Sequence, residues 1–317
     1  MIKNRINVIW NITRLCPFKC SFCCVSAIYI DNFRKVDESE ILQYEELSFA
    51  KKIDILSQMG KDDFSIDFSG GDVLINSDNL KIIEFASAKF GKENIGLSIP
   101  GTFLDEKTID FLENKVNDIE FTLDNLPLVQ DKTRPLNYAL ITSKALIKLQ
   151  KYNINVGVQT VLNHNNMNKE TIYNLFKLLE ELGIKKWSFL KFFPVGNFYK
   201  KTDYSPSDFE YIEIAKYINL ITLNSNMKID FQYLYPREDD KEFRCRAVKR
   251  SIGINAKGKI SSCFWALDQF GEPLQEFFLG EVPKENIYTI LESTKAKFWK
   301  NQSNTCNNCE LLQVLDK

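Results

Sequence analysis

The 317-residue sequence contains a single histidine, a net charge close to zero and no long apolar run. One histidine, His164, excludes histidine-based catalytic triads and metal sites built from several histidines. Lysine plus arginine (41) nearly equal aspartate plus glutamate (42), so the chain lacks the positive excess typical of proteins that bind nucleic acids or anionic membranes. No apolar stretch approaches the length that a bilayer requires, and the N-terminus has no signal-peptide pattern. We therefore expect a soluble, cytoplasmic protein with no nucleic-acid or membrane partner.

Seven of the eight cysteines form two groups, one near each end of the chain. The first group is Cys16, Cys20 and Cys23, and the second is Cys245, Cys263, Cys306 and Cys309; Cys24 lies beside the first group but belongs to neither. Because nothing in the sequence directs the chain to an oxidising compartment, this clustering favours metal ligation over a framework of four disulfides.

Short β-rich segments alternate with longer amphipathic segments from residue 6 to about residue 192. The predicted strands cover residues 6–13, 63–69, 95–99, 118–123, 155–162 and 186–192. Segments between them, such as 47–56 and 171–179, place apolar residues at helical spacing. This alternation predicts an α/β fold with a parallel sheet, in which six β-α units form a partial (β/α)6 barrel.

The alternation ends near Gly196, and Ser205-Pro-Ser-Asp208 has the pattern of a helix start. The expected domains are a barrel at residues 1–200, a bridging segment at 201–240 and a small α+β domain at 241–317. In the last of these, residues 252–260 predict a hairpin and residues 285–299 a helix. The acidic run 237–242 is predicted to be a solvated linker, although one of its carboxylates is a candidate base.

Cys16, Cys20 and Cys23 form a Cys-x3-Cys-x2-Cys run directly after the first predicted strand. Three thiolates without a fourth hold three irons of a 4Fe-4S cubane and leave one iron open to a ligand. Ligands of parallel α/β barrels bind at the carboxyl ends of strands, which is where this run lies. The run resembles the cluster motif of the radical S-adenosylmethionine (SAM) superfamily.

This resemblance implies that the open iron chelates the amino and carboxylate groups of SAM. An electron from the cluster then cleaves SAM to methionine and a 5'-deoxyadenosyl radical, which abstracts hydrogen from the substrate. It also implies a reductant such as flavodoxin or ferredoxin.

The segment from Phe68 to Leu74, Phe-Ser-Gly-Gly-Asp-Val-Leu, resembles the Gly-Gly-Glu-Pro segment of this superfamily. Aspartate and valine replace the usual glutamate and proline. The resemblance implies that Gly70, Gly71 and Asp72 contact the amino end of SAM. The alternative is an ordinary glycine turn between a strand and a helix.

Other positions resemble SAM-binding residues of the superfamily less closely. These are Phe22 beside the adenine, and Ser98, Thr122, Asp124 and Gln159 at strand ends. For the polar residues the alternative is a cap at the end of a strand, and for Phe22 it is packing beneath the cysteine loop. Cys24 is either a small buried apolar residue or a thiol that returns hydrogen to a substrate radical.

The second cysteine group contains the spacing Cys-x12-Gly-x4-Cys, from Cys245 through Gly258 to Cys263, followed by Cys306-x2-Cys309. This pattern resembles the SPASM and twitch extensions of radical SAM enzymes. Four cysteines match the single auxiliary 4Fe-4S cluster of a twitch domain better than the two clusters of a full SPASM domain. A structural zinc is the alternative. If all four cysteines ligate one cluster, that cluster has no open iron and serves electron transfer or folding.

The substrate implied by these resemblances is a peptide or a small molecule. The leading hypothesis is maturation of a ribosomally synthesised peptide by an oxidative crosslink or another carbon-centred change. The first alternative is oxidation of a sugar or aminocyclitol, as in a twitch-type radical SAM dehydrogenase. The second is a non-catalytic zinc or iron-sulfur protein. No catalytic base can be assigned from the sequence.

Overall fold

The computed structural model describes residues 5–129, 133–202, 205–232, 245–302 and 309–316. The strands are β1 Ile6–Thr13, β2 Leu15–Cys16, β3 Ile28–Tyr29, β4 Phe64–Gly70, β5 Ile95–Ser98, β6 Asp118–Thr122, β7 Asn155–Leu162, β8 Lys186–Lys191, β9 Lys228–Gln232, β10 Ser251–Ile254, β11 Lys259–Ser261 and β12 Phe278–Glu281. The α-helices are α1 Glu38–Gln43, α2 Phe49–Gln58, α3 Asp78–Phe90, α4 Glu106–Glu113, α5 Tyr138–Leu149, α6 Lys169–Glu181, α7 Asp208–Thr222, α8 Ile287–Leu291, α9 Thr294–Gln302 and α10 Glu310–Leu315.

Ten of the strands form one sheet in the order β12-β11-β10-β1-β4-β5-β6-β7-β8-β9. From β10 through β9 all neighbours are parallel, whereas β11 and β12 pair antiparallel. Each of the six predicted strands is present within one residue of its expected bounds. The predicted α/β architecture with a parallel-strand core is confirmed.

Side-chain alternation gives β1 one core face and one cavity face. In β1, the side chains of Val8, Trp10 and Ile12 are fully buried in the main apolar core beneath the helices. Asn7 and Asn11 alternate with them and line an internal cavity. The sheet therefore packs its apolar face against helices and turns polar side chains inward.

Helix starts follow capping residues in the sequence. Ser48 accepts a hydrogen bond from the N–H of Lys51 at the start of α2, and Asn168 caps α6 in the same way. At α7, Ser207 and Glu210 form a reciprocal capping box, as expected from the predicted helix start. The helices predicted at 47–56 and 171–179 thus correspond to α2 and α6.

The β-α alternation continues beyond the predicted end at residue 196. Helix α7 packs on α6, and β9 pairs parallel with β8 inside the segment predicted as a bridge. Strand β9, Lys-Ile-Asp-Phe-Gln, is short, carries two charges and is only partly buried, so its pattern gives a weak strand signal. The domain boundaries remain a prediction.

The C-terminal residues extend the same sheet. Strands β10 and β11 form the hairpin expected at 252–260, and β10 also pairs with β1. Gly258 turns the hairpin with φ of +88°, and a Cβ there would lie 2.1 Å from the carbonyl oxygen of Val282. The helix predicted at 285–299 is divided into α8 and α9.

Two sequence predictions lie outside the described residues: the solvated acidic run at 237–242 and the ligand role of Cys306.

His164, in the described part, is in a loop and half exposed, with Nδ1 3.6 Å from Oε1 of Glu210. In the part of the chain that the structure describes, no helix combines the length and apolarity needed to cross a membrane.

Candidate active site

The first three cysteines lie on a loop that begins at the end of β2. Pairing of β2 with β3 closes this loop, because the N–H of Ile28 donates to the oxygen of Arg14 at 2.7 Å and that of Ile30 to the oxygen of Cys16 at 2.8 Å. The thiols of Cys16 and Cys20 are buried, and Cys23 is partly buried. The loop thus holds three thiols on the inner side of the sheet.

The three sulfurs interact electrostatically. Burial raises the pKa of Cys16 well above its usual value, and the neighbouring groups Asp72, Cys23 and Cys20 raise it further. Burial likewise raises the pKa of Cys20 to about 11, with a contribution from Cys23. Closely spaced thiols that resist ionisation without a counter-charge suit a metal cluster, whose binding displaces their protons.

Gly70 and Gly71 lie directly against the chain between β1 and the cysteine loop. A Cβ on Gly70, whose φ is +130°, would come within 2.1 Å of the oxygen of Thr13. A Cβ on Gly71 would come within 2.2 Å of the oxygen of Leu15. The N–H of Gly71 also donates to Thr13 at 2.7 Å. The glycines therefore seat the cysteine loop, in addition to lining the cavity.

Asp72 is placed differently from Gly70 and Gly71, and its predicted contact with SAM stays a prediction. Its side chain is 0% exposed and is not among the described residues that line the cavity. Oδ1 accepts the N–H of Leu74 at 3.0 Å and caps the 3-10 turn Val73–Ile75, while burial raises the pKa of the carboxyl to about 7. This geometry supports a role in shaping the turn and does not support direct contact with SAM.

A cavity of about 470 Å³ lies inside the curved sheet. Several residues predicted from the sequence line it together: Phe22, Gly70, Gly71, Ser98, Thr122 and Gln159, with Cys16, Cys20, Cys23 and Cys24. Gln159 donates from Nε2 to Oε2 of Glu120. Parallel pairing explains the convergence, because Thr122 is opposite Gln159 and Ser98 is opposite Glu120 in adjacent strands.

Asp124 does not line the cavity and instead orients a residue that the sequence prediction missed. Its carboxylate is 1% exposed and pairs with Nε of Arg134 at 2.5 Å. Nη1 of Arg134 donates to Sγ of Cys20 at 3.5 Å, and the guanidinium stacks on the rings of Phe22 and Tyr138, 4.8 and 4.4 Å from their centroids. A single arginine in a loop has no periodic signal, so only proximity reveals this cation.

Cys24 lines the cavity and also packs against the main core. Burial, with a further contribution from Cys23, raises the pKa of its thiol to about 12. The S–H group therefore remains protonated at neutral pH. This position keeps both sequence interpretations, packing and hydrogen donation, chemically open.

Three cysteines of the second group line the same cavity: Cys245, Cys263 and Cys309. Burial raises the pKa of Cys263, and the negative charges of the nearby Cys309 and Cys245 raise it further. Aromatic side chains surround them, with Trp265 stacked on Phe193 and the cavity also reaching Trp299. Both cysteine groups therefore border one space.

Acidic and basic side chains also line the cavity, and they were not recognised in the sequence. Asp67, Asp118 and Glu120 project inward from β4 and β6, and Lys186 pairs with Glu120 at 2.5 Å. Oδ2 of Asp67 accepts a hydrogen bond from Nδ2 of Asn7 at 2.9 Å, and burial raises the pKa of this carboxyl to about 6. Polar residues at alternate strand positions were the available signal.

The described side chains do not converge on a single metal ion. Across the five described ranges, no three histidine, cysteine, aspartate or glutamate side chains approach closely enough for one ion. A four-iron cubane keeps its thiolates further apart than one ion does, and soft thiolates are its ligands. The donor sets fit iron-sulfur clusters.

The family model of the radical SAM superfamily matches residues 10–179, and that of the SPASM iron-sulfur cluster-binding domain matches residues 245–310. The chain therefore belongs to the radical SAM superfamily and carries a SPASM or twitch-like auxiliary domain. These domains imply SAM, a SAM-binding 4Fe-4S cluster and an auxiliary cluster.

Among curated proteins, the chain is similar to GTP 3',8-cyclase of Staphylococcus epidermidis, with 24% identity over 191 residues covering 59% of this chain and 54% of the relative. It is also similar to Fe-coproporphyrin III synthase of Methanosarcina barkeri, with 28% identity over 186 residues covering 57% and 43%. The chain thus matches about half the length of these relatives or less.

Solved structures share the fold over almost the whole chain. SuiB of Streptococcus suis bound to the precursor peptide SuiA has a TM-score of 0.69 and 15% identity, covering 98% of this chain and 70% of SuiB. The structure of anSMEcpe with bound AdoMet has a TM-score of 0.66 and 16% identity, covering 98% and 88%. At these identities the likeness shows the fold.

Proposed function

We propose that this protein is a radical SAM enzyme that oxidatively modifies a ribosomally synthesised peptide. The observation that carries the proposal is the single cavity of about 470 Å³ bordered by both cysteine groups. A substrate in this space lies between the site of hydrogen abstraction and a second cluster that accepts an electron. Bound SAM supplies the abstracting radical when the first cluster reduces it.

The residues at the first cysteine group have complementary proposed roles. Cys16, Cys20 and Cys23 hold three irons of the SAM-binding cluster. The guanidinium of Arg134, fixed beside Cys20, faces the carboxylate of SAM, because a cation is needed where that anion approaches the cluster. Phe22 lies beneath the adenine.

Polar side chains at the strand ends complete the proposed SAM site. Ser98, Thr122 and Gln159 line the cavity and offer hydrogen bonds to the ribose and the methionine part of SAM. Gly70 and Gly71 keep the adjoining wall free of side chains, so that the amino end of SAM can approach the main chain.

The auxiliary site is proposed to consist of Cys245, Cys263, Cys306 and Cys309. With all four ligating, these residues would hold a cluster that could accept an electron from the substrate radical. The accompanying proton passes to a cavity carboxylate, for which Asp67 is the best candidate because a pKa of about 6 leaves it ionised yet basic at neutral pH. One hydrogen atom, one electron and one proton then leave the substrate, which loses two hydrogens in all.

The choice of a peptide rests on the cavity and on the structural neighbours. SuiB was solved with a precursor peptide and anSMEcpe with a Cp18Cys peptide. The curated relatives named for GTP point to a different substrate class. The cavity presents aromatic side chains together with charges of both signs, which suits a peptide with apolar and charged side chains.

The test uses anaerobically reconstituted protein with SAM and reduced flavodoxin. It is incubated separately with peptides encoded by neighbouring genes and with a panel of aminocyclitols and sugars. We expect one 5'-deoxyadenosine per product and a peptide lighter by two hydrogens. Conversion of an aminocyclitol or sugar, with the peptides unchanged, would replace this proposal by the dehydrogenase alternative.

A second candidate reaction is peptide epimerisation, and the cavity position of Cys24 favours it. The Cys24 thiol lines the cavity, where its S–H bond could return hydrogen to a substrate radical. Epimerisation leaves the peptide mass unchanged in ordinary water and introduces one deuterium in heavy water. Loss of that deuterium in Cys24→Ala would establish epimerisation, whereas a loss of two hydrogens in both wild type and variant would support oxidation.

A further inference from the structure

We infer that Gly196 and Asn197, here called the strap, are positioning residues that couple ligation at the auxiliary site to the geometry of the SAM-cluster loop. The strap lies after β8, and the inference rests on the proposed ligand roles of Cys20, Cys23 and Cys263. No sequence motif marks the strap. Its contacts with both cysteine groups are what single it out.

On one side, the strap binds the main chain of the SAM-cluster loop at two cysteines. The N–H of Asn197 donates to the oxygen of Cys23 at 3.0 Å, and its Nδ2 donates to the oxygen of Cys20 at 3.1 Å. These bonds span the Cys-x2-Cys part of the motif. They fix the main chain at Cys20 and Cys23 and thereby limit the directions in which the two thiol side chains can point.

Only glycine permits this approach at position 196. Gly196 has φ of +58°, and a Cβ there would lie 2.2 Å from the oxygen of Cys23 and 2.6 Å from the carbonyl carbon of Cys24. Both contacts are with main-chain atoms, which cannot rotate away as a side chain would. The strap and the cysteine loop are therefore packed backbone to backbone.

On the other side, the strap binds the segment that begins at Cys263. The N–H of Gly196 donates to the oxygen of Leu267 at 3.2 Å. Leu267 is four residues after Cys263, and the N–H of Ala266 returns to the oxygen of Cys263 at 3.1 Å in a tight turn. Three hydrogen bonds, from Ala266 to Cys263, from Gly196 to Leu267 and from Asn197 to Cys23, thus connect the main chain of Cys263 to the carbonyl of Cys23.

A second contact joins the segment after Cys263 directly to the cysteine loop. Oγ of Ser26 donates to the oxygen of Asp268 at 3.4 Å. The segment after Cys263 therefore touches the far end of the cysteine loop as well as the strap. Ligands at Cys263 that fix this turn also fix the loop that presents Cys20 and Cys23, and by linkage a SAM-filled first site favours the ligated form of the second.

The experiment is a double-mutant cycle between Cys263→Ala and Gly196→Ala on reconstituted protein. SAM affinity is measured by titration, and the SAM-induced change of the reduced cluster's electron paramagnetic resonance spectrum provides a second readout. We expect Cys263→Ala to weaken SAM binding about fivefold in the native background and less than about twofold when Gly196→Ala is already present. Equal changes in both backgrounds, or no change in either, would overturn the inference.

Gly183→Ala is the matched control for strain. Gly183 also has a positive φ, +63°, but a Cβ there meets no atom within 4 Å. In the Gly183→Ala background, Cys263→Ala should weaken SAM binding as much as it does in the native background. If Gly196→Ala does not fold, Asn197→Ala provides the milder perturbation, since it removes one of the two bonds to the loop. A reduction in coupling then supports the inference, and undiminished coupling opposes it.

Iron content separates this inference from the proposed function. Replacing Cys245, Cys263 and Cys309 together by alanine should leave about four irons per chain, those of the SAM-binding cluster. The same iron content as wild type in this triple variant would reject the auxiliary ligand set, and with it the coupling. Correct iron contents with an additive cycle would reject only the role of the strap.

Discussion

Arg134 and Asp124 form a buried ion pair in which only the cation reaches the cavity. Nε of Arg134 is 2.5 Å from Oδ2 of Asp124, whose Oδ1 accepts the N–H of Val161 at 2.7 Å. The carboxylate is thereby fixed to β7, and it fixes the direction of the guanidinium in turn. This arrangement places a positive charge beside Cys20, where the proposed SAM carboxylate binds.

We predict that Arg134→Gln weakens SAM binding about tenfold or more without loss of iron, because the variant lacks the cation that faces the SAM carboxylate. Asp124→Asn should have a smaller effect in the same direction, since the amide still accepts the Val161 N–H but no longer pairs with Arg134. Calorimetric titration with SAM measures both.

The matched control for this ion pair is Glu180→Gln. It removes an exposed pair in which Nζ of Lys177 is 2.8 Å from Oε2 of Glu180, far from the cysteines in sequence. SAM affinity in this variant should equal that of wild type. Native SAM affinity in Arg134→Gln would remove Arg134 from the proposed site.

We predict that Gly71→Ala disrupts the first cluster. The added Cβ would lie 2.2 Å from the oxygen and 2.7 Å from the carbonyl carbon of Leu15, which directly precedes Cys16. Relieving this overlap moves the cysteine loop or the sheet and costs about 1–3 kcal/mol of stability. Iron analysis should show loss of up to about four irons per chain.

Gly157→Ala is the control for Gly71→Ala. Its nearest Cβ contact is 3.4 Å, with the flexible side chain of Glu120, so a methyl group fits there. Full iron content is expected in this variant. If Gly71→Ala also reconstituted fully, the close approach to Leu15 would not be what seats the loop.

Local patterns in the sequence were sufficient to predict six strands of the parallel sheet, and the cysteine ligands stay a prediction. Strand signals depend on neighbouring residues alone, and β1, β4 and β7 follow them. Strand β9 was missed because its two charges and partial burial obscure the alternation, and its pairing with β8 depends on contacts distant in sequence.

Site residues were predictable only where they belong to a sequence motif. Gly70 and Gly71 are motif residues, and the structure brings them to the cavity. Asp72 occupies a motif position but turns into the core, which the sequence alone cannot reveal. Arg134 reaches the cavity from a loop through tertiary packing and had no local signature, whereas the alternation of polar residues in β4 was an available signal for Asp67.

The raised pKa of Asp67 predicts a pH dependence of stability. Because its carboxyl has a pKa of about 6 in the folded protein against an ordinary 3.8, the folded state binds more protons between these values. The contribution of Asp67 to the free energy of unfolding therefore falls as pH rises towards 6. Relative to wild type, Asp67→Asn should gain on the order of 1 kcal/mol between pH 5 and 7, measured by anaerobic urea unfolding.

Asp105→Asn is the control for this titration. Asp105 caps α4, and its hydrogen bonds to Thr108 lower the pKa of its carboxyl. A lowered pKa places the titration below pH 4, so the stability difference from wild type should be constant between pH 5 and 7. A constant difference for Asp67→Asn as well would show that Asp67 is ionised throughout that range.

The two cysteine groups predict the iron content of the protein. Two four-iron clusters require about eight irons per chain, and replacing Cys16, Cys20 and Cys23 together by alanine should leave about four. The zinc alternative makes a different prediction, because a single zinc would occupy the second group and wild type would saturate at about four irons. Iron and zinc analysis of both proteins, with Cys24→Ala as a cysteine control outside both groups, distinguishes them. Eight irons in wild type and the control, falling to four in the triple variant, is the expected result; a firmly bound zinc that persists in the triple variant would contradict the auxiliary cluster.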